Sequence, residues 1–312
     1  MNIVITGGSG FVGSYLCEKL INDGHKIIVI DNLLTGSTEN INDLLDNENF
    51  LFIEQDVQDH IEIEDKVDYV LHFASAASPK AYTEHPVNTL KAGSVGTINT
   101  LGLAKKHSAE YLLASTSEVY GDPLISPQNE EYWGNAVNPN GERSMYDEAK
   151  RFAEAAVATY SRSYGLKTKI VRIFNTYGPR MQLNDGRVVT NFIVQALRNE
   201  NITIYGDGTQ TRSFSYVEDT VAGIISLMNS TEYDVFNIGN PNEMTVGQLA
   251  EKIIKLTDST SEIKYLELPN DDPKQRKPDI TKAKTKLNWE PKVNLDEGLA
   301  KTITWVEEQL SK

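Results

Sequence analysis

The chain of 312 residues is 39% hydrophobic and has a formal net charge of −14, from 30 Lys and Arg against 44 Asp and Glu. That length suits one large domain or two modest ones with a packed core. An acidic surface repels phosphate backbones, which argues against nucleic-acid binding, and the single cysteine, Cys17, excludes an internal disulfide. We expect a soluble cytoplasmic protein with no membrane partner, because the sequence shows neither a signal peptide nor an apolar run of the roughly 18 residues that a membrane helix needs.

The first half of the chain alternates apolar, β-rich runs with helical patterns. We predict strands in "NIVIT", "KIIVI", "NFLFIE", "DYVLHFA", "YLLAS" and "KTKIVRI", and helices over residues 11–22, 88–107 and 145–164. Strands that are apolar throughout and separated by helices are typical of a parallel sheet covered on both faces. The pattern therefore predicts an α/β fold with a doubly wound parallel sheet. Later, in 268–287, we expect an ordered loop followed by a helix.

A glycine turn joins the first predicted strand to the first predicted helix. Gly7, Gly10 and Gly13 are spaced G-x-x-G-x-x-G in "NIVITGGSGFVGSYLCEKL". The first allows a tight turn, the second lets the backbone approach a pyrophosphate, and the third lets helix and strand pack closely. The helix N-terminus then offers unpaired N–H groups to the anion. This motif predicts a dinucleotide site.

Acidic residues follow the next two strands and bear on the choice of dinucleotide. Asp31 ends "HKIIVID", where an acid accepts hydrogen bonds from the adenosine ribose hydroxyls and repels a 2′-phosphate. The following "NLLTGSTEN" contains no Lys or Arg to neutralise such a phosphate, so NAD is favoured over NADP. A capping role for Asp31 is the alternative. Asp56, in "EQDVQD", either meets the adenine amine or closes a turn.

A tyrosine and a lysine share one face of the predicted helix "RSMYDEAKRFAEAAVATYSRSYG". Tyr146 and Lys150 are spaced i, i+4. An ammonium one turn away is expected to lower the pKa of the phenol from its usual value near 10, and a phenolate can take a proton from a substrate alcohol. Thr116, at the end of an upstream strand, would hydrogen-bond the same alcohol. Glu118 follows in "LLASTSEVYGDP", just past a parallel strand where ligands bind, so we expect it to act on the substrate; a loop cap is the alternative.

These motifs resemble a known family. "TGGSGFVG", "STSEVYG" and "YDEAK" are similar to the extended short-chain dehydrogenase/reductase family of nucleotide-sugar enzymes. "PQNEEYWG", "RIFNTYGPRM", "DGRVVTNFI", "GDGTQTRSFSYVED" and "DDPKQRKPDITKAK" resemble its UDP-glucuronate decarboxylase group, from residue 2 to about residue 305. The resemblance implies a Rossmann-type NAD-binding domain with the catalytic helix over 1–175 and a smaller, mainly UDP-sugar-binding region over 176–312, between which the chain can cross.

The resemblance also implies a reaction. NAD⁺ removes hydride from C4 of UDP-glucuronate, and the resulting 4-ketone lies β to the carboxylate, so CO₂ leaves and an enolate forms. Protonation at C5 and return of the hydride to C4 then give UDP-xylose. A 4-epimerase or a 4,6-dehydratase on the same scaffold is the alternative: an epimerase typically lacks the Glu at 118, and a dehydratase typically has Asp where Ser117 stands. A non-catalytic NAD-binding sensor would be expected to have lost Tyr146, Lys150 or Thr116.

Residue roles implied by the resemblance can be placed on matching positions. Tyr146 is the general base, Lys150 tunes it, Thr116 orients the C4 hydroxyl, Ser117 and Glu118 lie near the sugar, and Arg276 acts near the carboxylate or as a proton donor. The cofactor positions are Gly7, Gly10, Phe11, Val12, Gly13, Asp31, Asn32, Thr35, Gly36, Asp56, Val57, Phe73, Ser75, Tyr146, Lys150 and Thr176. The substrate positions are Lys91, Asn99, Thr116, Asn175, Arg187, Tyr205, Arg212 and Arg276.

Glu118 has two possible actions beside a substrate carboxylate. If ionised, it would repel that carboxylate and favour loss of CO₂, or the repulsion would raise its pKa so that it can relay a proton. The loop before Tyr146 departs from the family: Met145 replaces the usual Cys, one residue is extra, and Asn140 replaces an apolar residue. We predict no metal site, because the five histidines have no ligand spacing, and we expect His72 in the core. The family pairs the helices over 88–107 and 145–164 with their copies, which implies a homodimer through a four-helix bundle.

Overall fold

The structure is a computed structural model that describes residues 1–135, 138–267 and 275–312. The strands are β1 (Asn2–Thr6), β2 (Lys26–Asp31), β3 (Phe50–Glu54), β4 (Tyr69–His72), β5 (Glu110–Thr116), β6 (Thr168–Ile173), β7 (Thr176–Tyr177), β8 (Ile202–Tyr205), β9 (Thr211–Ser213), β10 (Ser215–Tyr216), β11 (Val235–Ile238), β12 (Glu243–Thr245), β13 (Ile263–Leu266) and β14 (Gln275–Arg276). The helices are α1 (Phe11–Asn22), α2 (Pro79–Glu84), α3 (Pro86–Lys91), α4 (Thr97–His107), α5 (Ser144–Tyr164), α6 (Val188–Leu197), α7 (Val217–Asn229), α8 (Val246–Leu256), α9 (Thr281–Leu287) and α10 (Leu295–Leu310).

A seven-stranded sheet forms the centre of the molecule, in the order β11-β6-β5-β4-β1-β2-β3. Every neighbouring pair is parallel; Ile3, for example, lies between Ile27 of β2 and Tyr69 of β4. Helices cover both faces, with one hydrophobic core on each side. The predicted α/β doubly wound class is therefore confirmed. The strand order reverses between β1 and β4, and in such sheets ligands bind at the carboxyl ends of the strands beside this reversal.

The second half of the chain returns to this sheet. β11 pairs with β6, while β12, β9 and β14 form a small separate sheet and β8 pairs with β13. The second half of the chain thus contributes one strand to the main sheet as well as the strands of these smaller sheets. In the stretch 268–287, residues 268–274 of the expected loop lie outside the described residues, and the helix expected after it is confirmed as α9. Within the described ranges, no helix is long and apolar enough to cross a membrane.

The helices over 11–22 and 145–164 are confirmed as α1 and α5, but the one over 88–107 is interrupted. A π-helical turn, Ala92–Gly96, separates α3 from α4. Its glycines allow close approach: a Cβ on Gly93 would lie 2.7 Å from the Ala149 Cβ of α5, and one on Gly96 would lie 2.6 Å from a Val57 methyl. π-Helical turns often occur at functional sites, and this one fixes the distance between α5 and the loop after β3.

His72, expected in the core, is buried at the end of β4. Its ring nitrogens lie 2.7 Å from Thr6 Oγ1 and 3.2 Å from Thr97 Oγ1. Burial, reinforced by the nearby Lys150 ammonium, lowers the pKa of His72 to about 3. The imidazole is therefore a neutral link between β1, β4 and the start of α4, as expected of a satisfied core residue.

Candidate active site

One continuous cavity of about 460 Å³ lies along the carboxyl edge of the main sheet. Every cofactor position expected from the sequence lines it, namely Gly7, Gly10, Phe11, Val12, Gly13, Asp31, Asn32, Thr35, Gly36, Asp56, Val57, Phe73, Ser75, Tyr146, Lys150 and Thr176. Most of the expected sugar-side positions also line it, namely Thr116, Ser117, Glu118, Asn175, Arg187, Tyr205, Arg212 and Arg276. The sequence separates these residues by up to most of the chain length, and the fold brings them to one cavity.

Two expected substrate positions, Lys91 and Asn99, are placed outside the described wall of this cavity. Lys91 is exposed at the end of α3, whereas its neighbour Ala92 lines the cavity. The Asn99 side-chain amide donates to the backbone carbonyls of Val57, Gln58 and Asp59 at 2.9–3.0 Å. Asn99 therefore holds the loop after β3, which itself borders the cavity.

The glycine turn has the shape that a dinucleotide pyrophosphate requires. Gly7 has a φ of +75°, and a Cβ on Gly13 would lie 2.2 Å from the Gly7 carbonyl oxygen, so a side chain at either position would push the turn out of place. Because Gly10 at the N-cap of α1 has no side chain, the first N–H groups of the helix are left to a ligand anion. The residues present therefore fit a bound dinucleotide.

Asp31 and Asp56 line the part of the cavity where the sequence leads us to expect adenosine. Asp31 accepts hydrogen bonds from the backbone N–H groups of Ser9 at 3.0 Å and Leu33 at 2.9 Å. Burial raises the pKa of the Asp31 carboxyl, and these two bonds partly oppose that rise. Asp56 accepts from the Asn32 amide at 2.8 Å and from the Gln58 backbone N–H at 2.9 Å. Asp56 thus closes a turn while also lining the cavity, so the two roles considered for it are compatible.

Tyr146 lines the cavity at the first turn of α5 and shares a hydrogen bond with the Thr116 side chain at the end of β5. The pKa of the phenol is raised by burial well above its usual value, against the expectation that Lys150 would lower it. The reason is the direction of the lysine: its Nζ donates to the Ala114 carbonyl at 2.8 Å and lies 5.8 Å from the centre of the Tyr146 ring. Burial also lowers the pKa of Lys150 to about 8, although Glu154 opposes this shift.

A compact cluster of charges lies at the part of the cavity where the sequence leads us to expect the sugar. Glu118 Oε2 accepts from Arg143 Nη2 at 2.6 Å and from Arg276 Nη2 at 2.8 Å. Arg276 Nη1 also donates to the Ser117 carbonyl. Arg276 is 3% exposed and comes from β14, so a strand near the end of the chain is joined to the loop after β5. Charge-assisted hydrogen bonds of this kind are strong and directional, and they fix the Glu118 carboxylate beside Ser117.

The sequence alone did not identify three residues at this end: Tyr82, Arg143 and Asp147. Tyr82 stacks on the Tyr146 ring, Arg143 binds Glu118, and Asp147 is buried beside them. Arg143 was detectable, because it stands three residues before Tyr146, one helical turn away. In "SPKAYTEHP", Ser before Pro predicts the start of a helix, but nothing local indicates which ring Tyr82 meets.

Comparisons with known proteins agree with this geometry. Residues 4–302 match the family model described as GDP-mannose 4,6 dehydratase. The chain is 52% identical over 308 residues to UDP-glucuronic acid decarboxylase 1 of Xenopus tropicalis, covering 99% of this chain and 72% of that protein.

Among solved structures, UDP-glucose 4-epimerase of Thermotoga maritima with UDP-glucose matches with a TM-score of 0.91 and 34% identity, over 99% of this chain and 100% of the other. UDP-glucuronic acid 4-epimerase of Bacillus cereus, in complex with UDP-glucuronic acid and NAD, matches with a TM-score of 0.87 and 26% identity, again over 99% and 100%.

Proposed function

The chain belongs to the extended short-chain dehydrogenase/reductase family, and on that premise we propose that it decarboxylates UDP-glucuronate to UDP-xylose. The observation that carries the proposal is the contact of Glu118 with Arg276 beside Tyr146 and Thr116. A carboxylate and two guanidinium groups next to Tyr146 support it, because they would face the sugar beside the group that we propose as the general base. The 52% identity to a UDP-glucuronic acid decarboxylase supports it.

We propose NAD as the cofactor at the opposite end of the cavity. The glycine turn and the N-terminus of α1 would hold the pyrophosphate, and Asp31 would bind the ribose hydroxyls. When bound, NAD⁺ would supply the hydride acceptor for oxidation at C4 and the hydride donor for the later reduction. Asp31 lines the cavity, and its carboxylate would repel a 2′-phosphate at the ribose, which favours NAD over NADP.

Tyr146 would take the proton of the C4 hydroxyl, and Thr116 would orient that hydroxyl. Because burial disfavours the phenolate, proton transfer is most favourable when compensating positive charge is near. Lys150 carries such a charge, since with a pKa of about 8 its ammonium form predominates at pH 7. Its Nζ donates to the Ala114 carbonyl, so it would have to turn toward the phenolate to stabilise it. Tyr82 stacks on the ring of Tyr146, and this contact would keep the Tyr146 hydroxyl directed toward the substrate.

Loss of CO₂ follows from the chemistry of the oxidised sugar. The C4 ketone lies β to the carboxylate, so the electrons of the breaking C5–carboxylate bond move toward the ketone oxygen and leave an enolate. Arg276 and Arg143 would attract the carboxylate into place. Glu118 would compete for the same guanidinium donors and repel the substrate carboxylate. The two arginines would therefore bind that carboxylate less tightly before CO₂ leaves. Protonation at C5 completes the step.

The direct test is to incubate the protein with UDP-glucuronate and NAD⁺ and to identify the nucleotide sugars by mass spectrometry. A product lighter than the substrate by CO₂, coeluting with UDP-xylose, is expected. A product of unchanged mass would indicate a 4-epimerase, as in the solved relatives. A product lighter by one water would indicate a dehydratase. Either result would contradict the decarboxylase.

We also propose that the protein is a homodimer. Val87, Leu90, Val95 and Ile98 are exposed along α3, the π-helical turn and α4, and Phe152 is exposed on the neighbouring α5. Apolar exposure concentrated on the α3–α4 segment and the adjacent α5 fits an isologous contact with the same elements of a second copy.

Light scattering at micromolar concentration should give a dimer mass for the wild type and a monomer mass for Phe152→Glu combined with Leu90→Glu. Leu124→Glu, a substitution at an exposed loop residue, is the control that should leave the dimer intact. A monomeric wild type would contradict the proposal.

A further inference from the structure

Gln128 is a buried polar side chain that the reaction outlined above does not use. It stands in "PQNEEYWG", one of the motifs that resemble the decarboxylase group, and it is 0% exposed. A buried amide needs hydrogen bonds to offset its loss of hydration. Its Oε1 accepts from the Lys277 N–H at 2.9 Å, and its Nε2 donates to the Ile125 carbonyl at 2.7 Å. The first of these bonds joins Gln128 to the peptide group that Lys277 shares with Arg276.

The main chain of Gln128 holds the same segment. Its N–H donates to the Lys277 carbonyl at 2.8 Å, and its carbonyl accepts from the Asp279 N–H at 2.8 Å. These bonds make a short parallel bridge between Gln128 and Pro278. Because β14 ends at Arg276, the bridge fixes the chain immediately after that strand.

Gln128 is itself anchored to the main sheet and to the turn that carries Glu118. Asn237, buried on β11, donates from its side-chain amide to the Gln128 carbonyl at 3.0 Å. The side-chain oxygen of Asn237 accepts from the Tyr120 hydroxyl at 2.8 Å, and Tyr120 lies in the same turn as Glu118. A second, buried series of hydrogen bonds therefore connects the two partners of the Glu118–Arg276 ion pair.

The direction of the Arg276 side chain matters because it is buried and lines the cavity. Its Nη atoms donate to Glu118 Oε2 and to the Ser117 carbonyl. Its Nε is buried and has no hydrogen-bond partner among the residues that the structure describes, so this N–H can serve a ligand. Hydrogen bonds from a guanidinium to a carboxylate are directional. A shift of the Arg276 backbone would therefore change how these donors meet a substrate carboxylate.

We propose that Gln128 is a positioning residue, which holds the peptide group between Arg276 and Lys277 so that the Arg276 guanidinium meets the carboxylate of a sugar acid. The proposal rests on the proposed UDP-glucuronate substrate and goes beyond it, since it assigns part of the selectivity for acidic over neutral sugars to a residue outside the described cavity wall. Loss of the Gln128 side-chain bonds then weakens binding of the sugar acid, whereas a neutral sugar on the same nucleotide binds as before.

The test compares dissociation constants for UDP-glucuronate and UDP-xylose by calorimetry. The protein is loaded with NADH, because the reduced cofactor cannot accept hydride and the sugar acid stays intact. Gln128→Met keeps the unbranched length of the side chain and removes both of its hydrogen bonds. UDP-glucuronate should then bind about three- to tenfold more weakly, the factor expected for one hydrogen bond, and UDP-xylose should bind as in the wild type.

Gln248→Met is the matched control. The Gln248 side chain also accepts a hydrogen bond from a backbone N–H, that of Thr245 at 2.9 Å, at the start of α8. Its loss should leave both dissociation constants unchanged. An equal loss of affinity for the two sugars in Gln128→Met would show a merely structural role and overturn the proposal, as would an unchanged affinity for UDP-glucuronate.

A double-mutant cycle tests whether Gln128 acts through Arg276. Adding Gln128→Met to Arg276→Ala should weaken UDP-glucuronate binding by less than about twofold, because the guanidinium that Gln128 positions is already absent. Additive effects of the two substitutions would contradict the proposal.

Should Gln128→Met fold poorly, the same bond can be removed at its donor. Lys277→Pro has no N–H to donate to Gln128, whereas Lys277→Ala keeps it. The first should weaken binding of UDP-glucuronate and not of UDP-xylose, and the second should weaken neither. Wild-type affinities in Lys277→Pro, or an equal loss of both, would overturn the proposal. Failure of this inference leaves UDP-xylose formation by the wild type intact, whereas failure of the proposed function is seen as no UDP-xylose from UDP-glucuronate and NAD⁺.

Discussion

Tyr82 and Tyr146 stack with their ring centroids 5.3 Å apart and their planes inclined by 17°. Both rings are buried. Tyr82 belongs to α2, whose start is fixed by Ser78, because the Ser78 side chain accepts a hydrogen bond from the Ala81 backbone N–H. The position of the proposed general base therefore depends on a short helix from a different part of the chain as well as on α5.

Tyr146→Phe should abolish most turnover and leave UDP-glucuronate binding within a few-fold of the wild type. The Phe ring keeps the stack on Tyr82, and only the proton acceptor is lost, so kcat should fall about 10²–10⁴-fold. Steady-state kinetics and calorimetry measure the two quantities. Tyr160→Phe, the same substitution further along α5, is the control and should leave kcat unchanged. Turnover of Tyr146→Phe within a few-fold of the wild type would show that another group takes the C4 proton.

Lys150→Met should change the pH dependence of stability in a defined direction. The folded pKa of Lys150, about 8, is below its unfolded value near 10.5. Keeping Lys150 charged in the folded state therefore lowers the free energy of unfolding. This destabilisation is complete below pH 8 and disappears above the unfolded pKa. The wild type should gain on the order of 2 kcal/mol relative to Lys150→Met between pH 7 and pH 10. Urea unfolding at the two pH values tests this; a pH-independent difference would contradict it.

The sequence predicted the main sheet well because its signals are local. The run "NIVIT" became β1, and the helix expected over 11–22 became α1 with the same ends. The π-helical turn Ala92–Gly96 was not predicted, because it depends on the close packing of Gly93 against α5 and of Gly96 against Val57. The hydrophobic periodicity of "KAGSVG" does not indicate that packing.

At the site, residue identities were easier to predict than electrostatics. The glycine turn, Asp31, Tyr146 and Thr116 stand in motifs with fixed spacing, and all line the cavity. The expected effect of Lys150 on Tyr146 was wrong, since the i, i+4 spacing places both on one helix face but does not tell where the ammonium points. It points at the backbone of β5. Burial, which only the fold reveals, then determines the pKa of the phenol.

Glu118→Gln should still oxidise the substrate but release CO₂ slowly. Removing the negative charge weakens the competition for the Arg143 and Arg276 guanidinium groups, so they would hold the substrate carboxylate more firmly. A hydrogen bond to a charged group contributes about 1.5–3 kcal/mol, so UDP-xylose formation should fall roughly 10–100-fold. Single-turnover absorbance of the reduced nicotinamide, with product analysis, should show the 4-keto acid accumulating. Glu131→Gln, at an exposed position in the loop that follows Glu118, is the control.

The same Glu118 experiment run in heavy water reports on C5. Slower incorporation of deuterium at C5 is expected in Glu118→Gln, because protonation follows the loss of CO₂. UDP-xylose formed at the full rate with normal C5 labelling would show that Glu118 takes no part in the later steps.

Arg276→Ala should reduce kcat/KM for UDP-glucuronate far more than Lys277→Ala does. Arg276 is buried and bonded to Glu118 and Ser117, whereas Lys277 is partly exposed and pairs with Glu243 at 3.1 Å. Breaking a buried ion pair costs about 3–5 kcal/mol, and a surface pair contributes about 0–1 kcal/mol. Thermal melts separate loss of folding from loss of activity. Equal effects of the two substitutions would make Arg276 part of a diffuse basic rim.

NAD⁺ should bind more tightly than NADP⁺. The Asp31 carboxylate would face the 2′-position, and two like charges in contact cost several kcal/mol, so NADP⁺ should bind more than about tenfold more weakly. Asp31→Asn should reduce the difference in affinity between NAD⁺ and NADP⁺. Calorimetry with both nucleotides measures it. Tighter binding of NADP⁺ by the wild type would overturn the assignment of the cofactor.

The most direct test of the decarboxylase is to supply UDP-glucuronate labelled at the carboxylate carbon, together with NAD⁺, and to follow the label by NMR. The label should leave as CO₂ and bicarbonate at the rate at which unlabelled UDP-xylose appears, with one molecule of each per substrate consumed. Label that stays on a nucleotide sugar, in an epimer of UDP-glucuronate or in any other product, would contradict the proposed function.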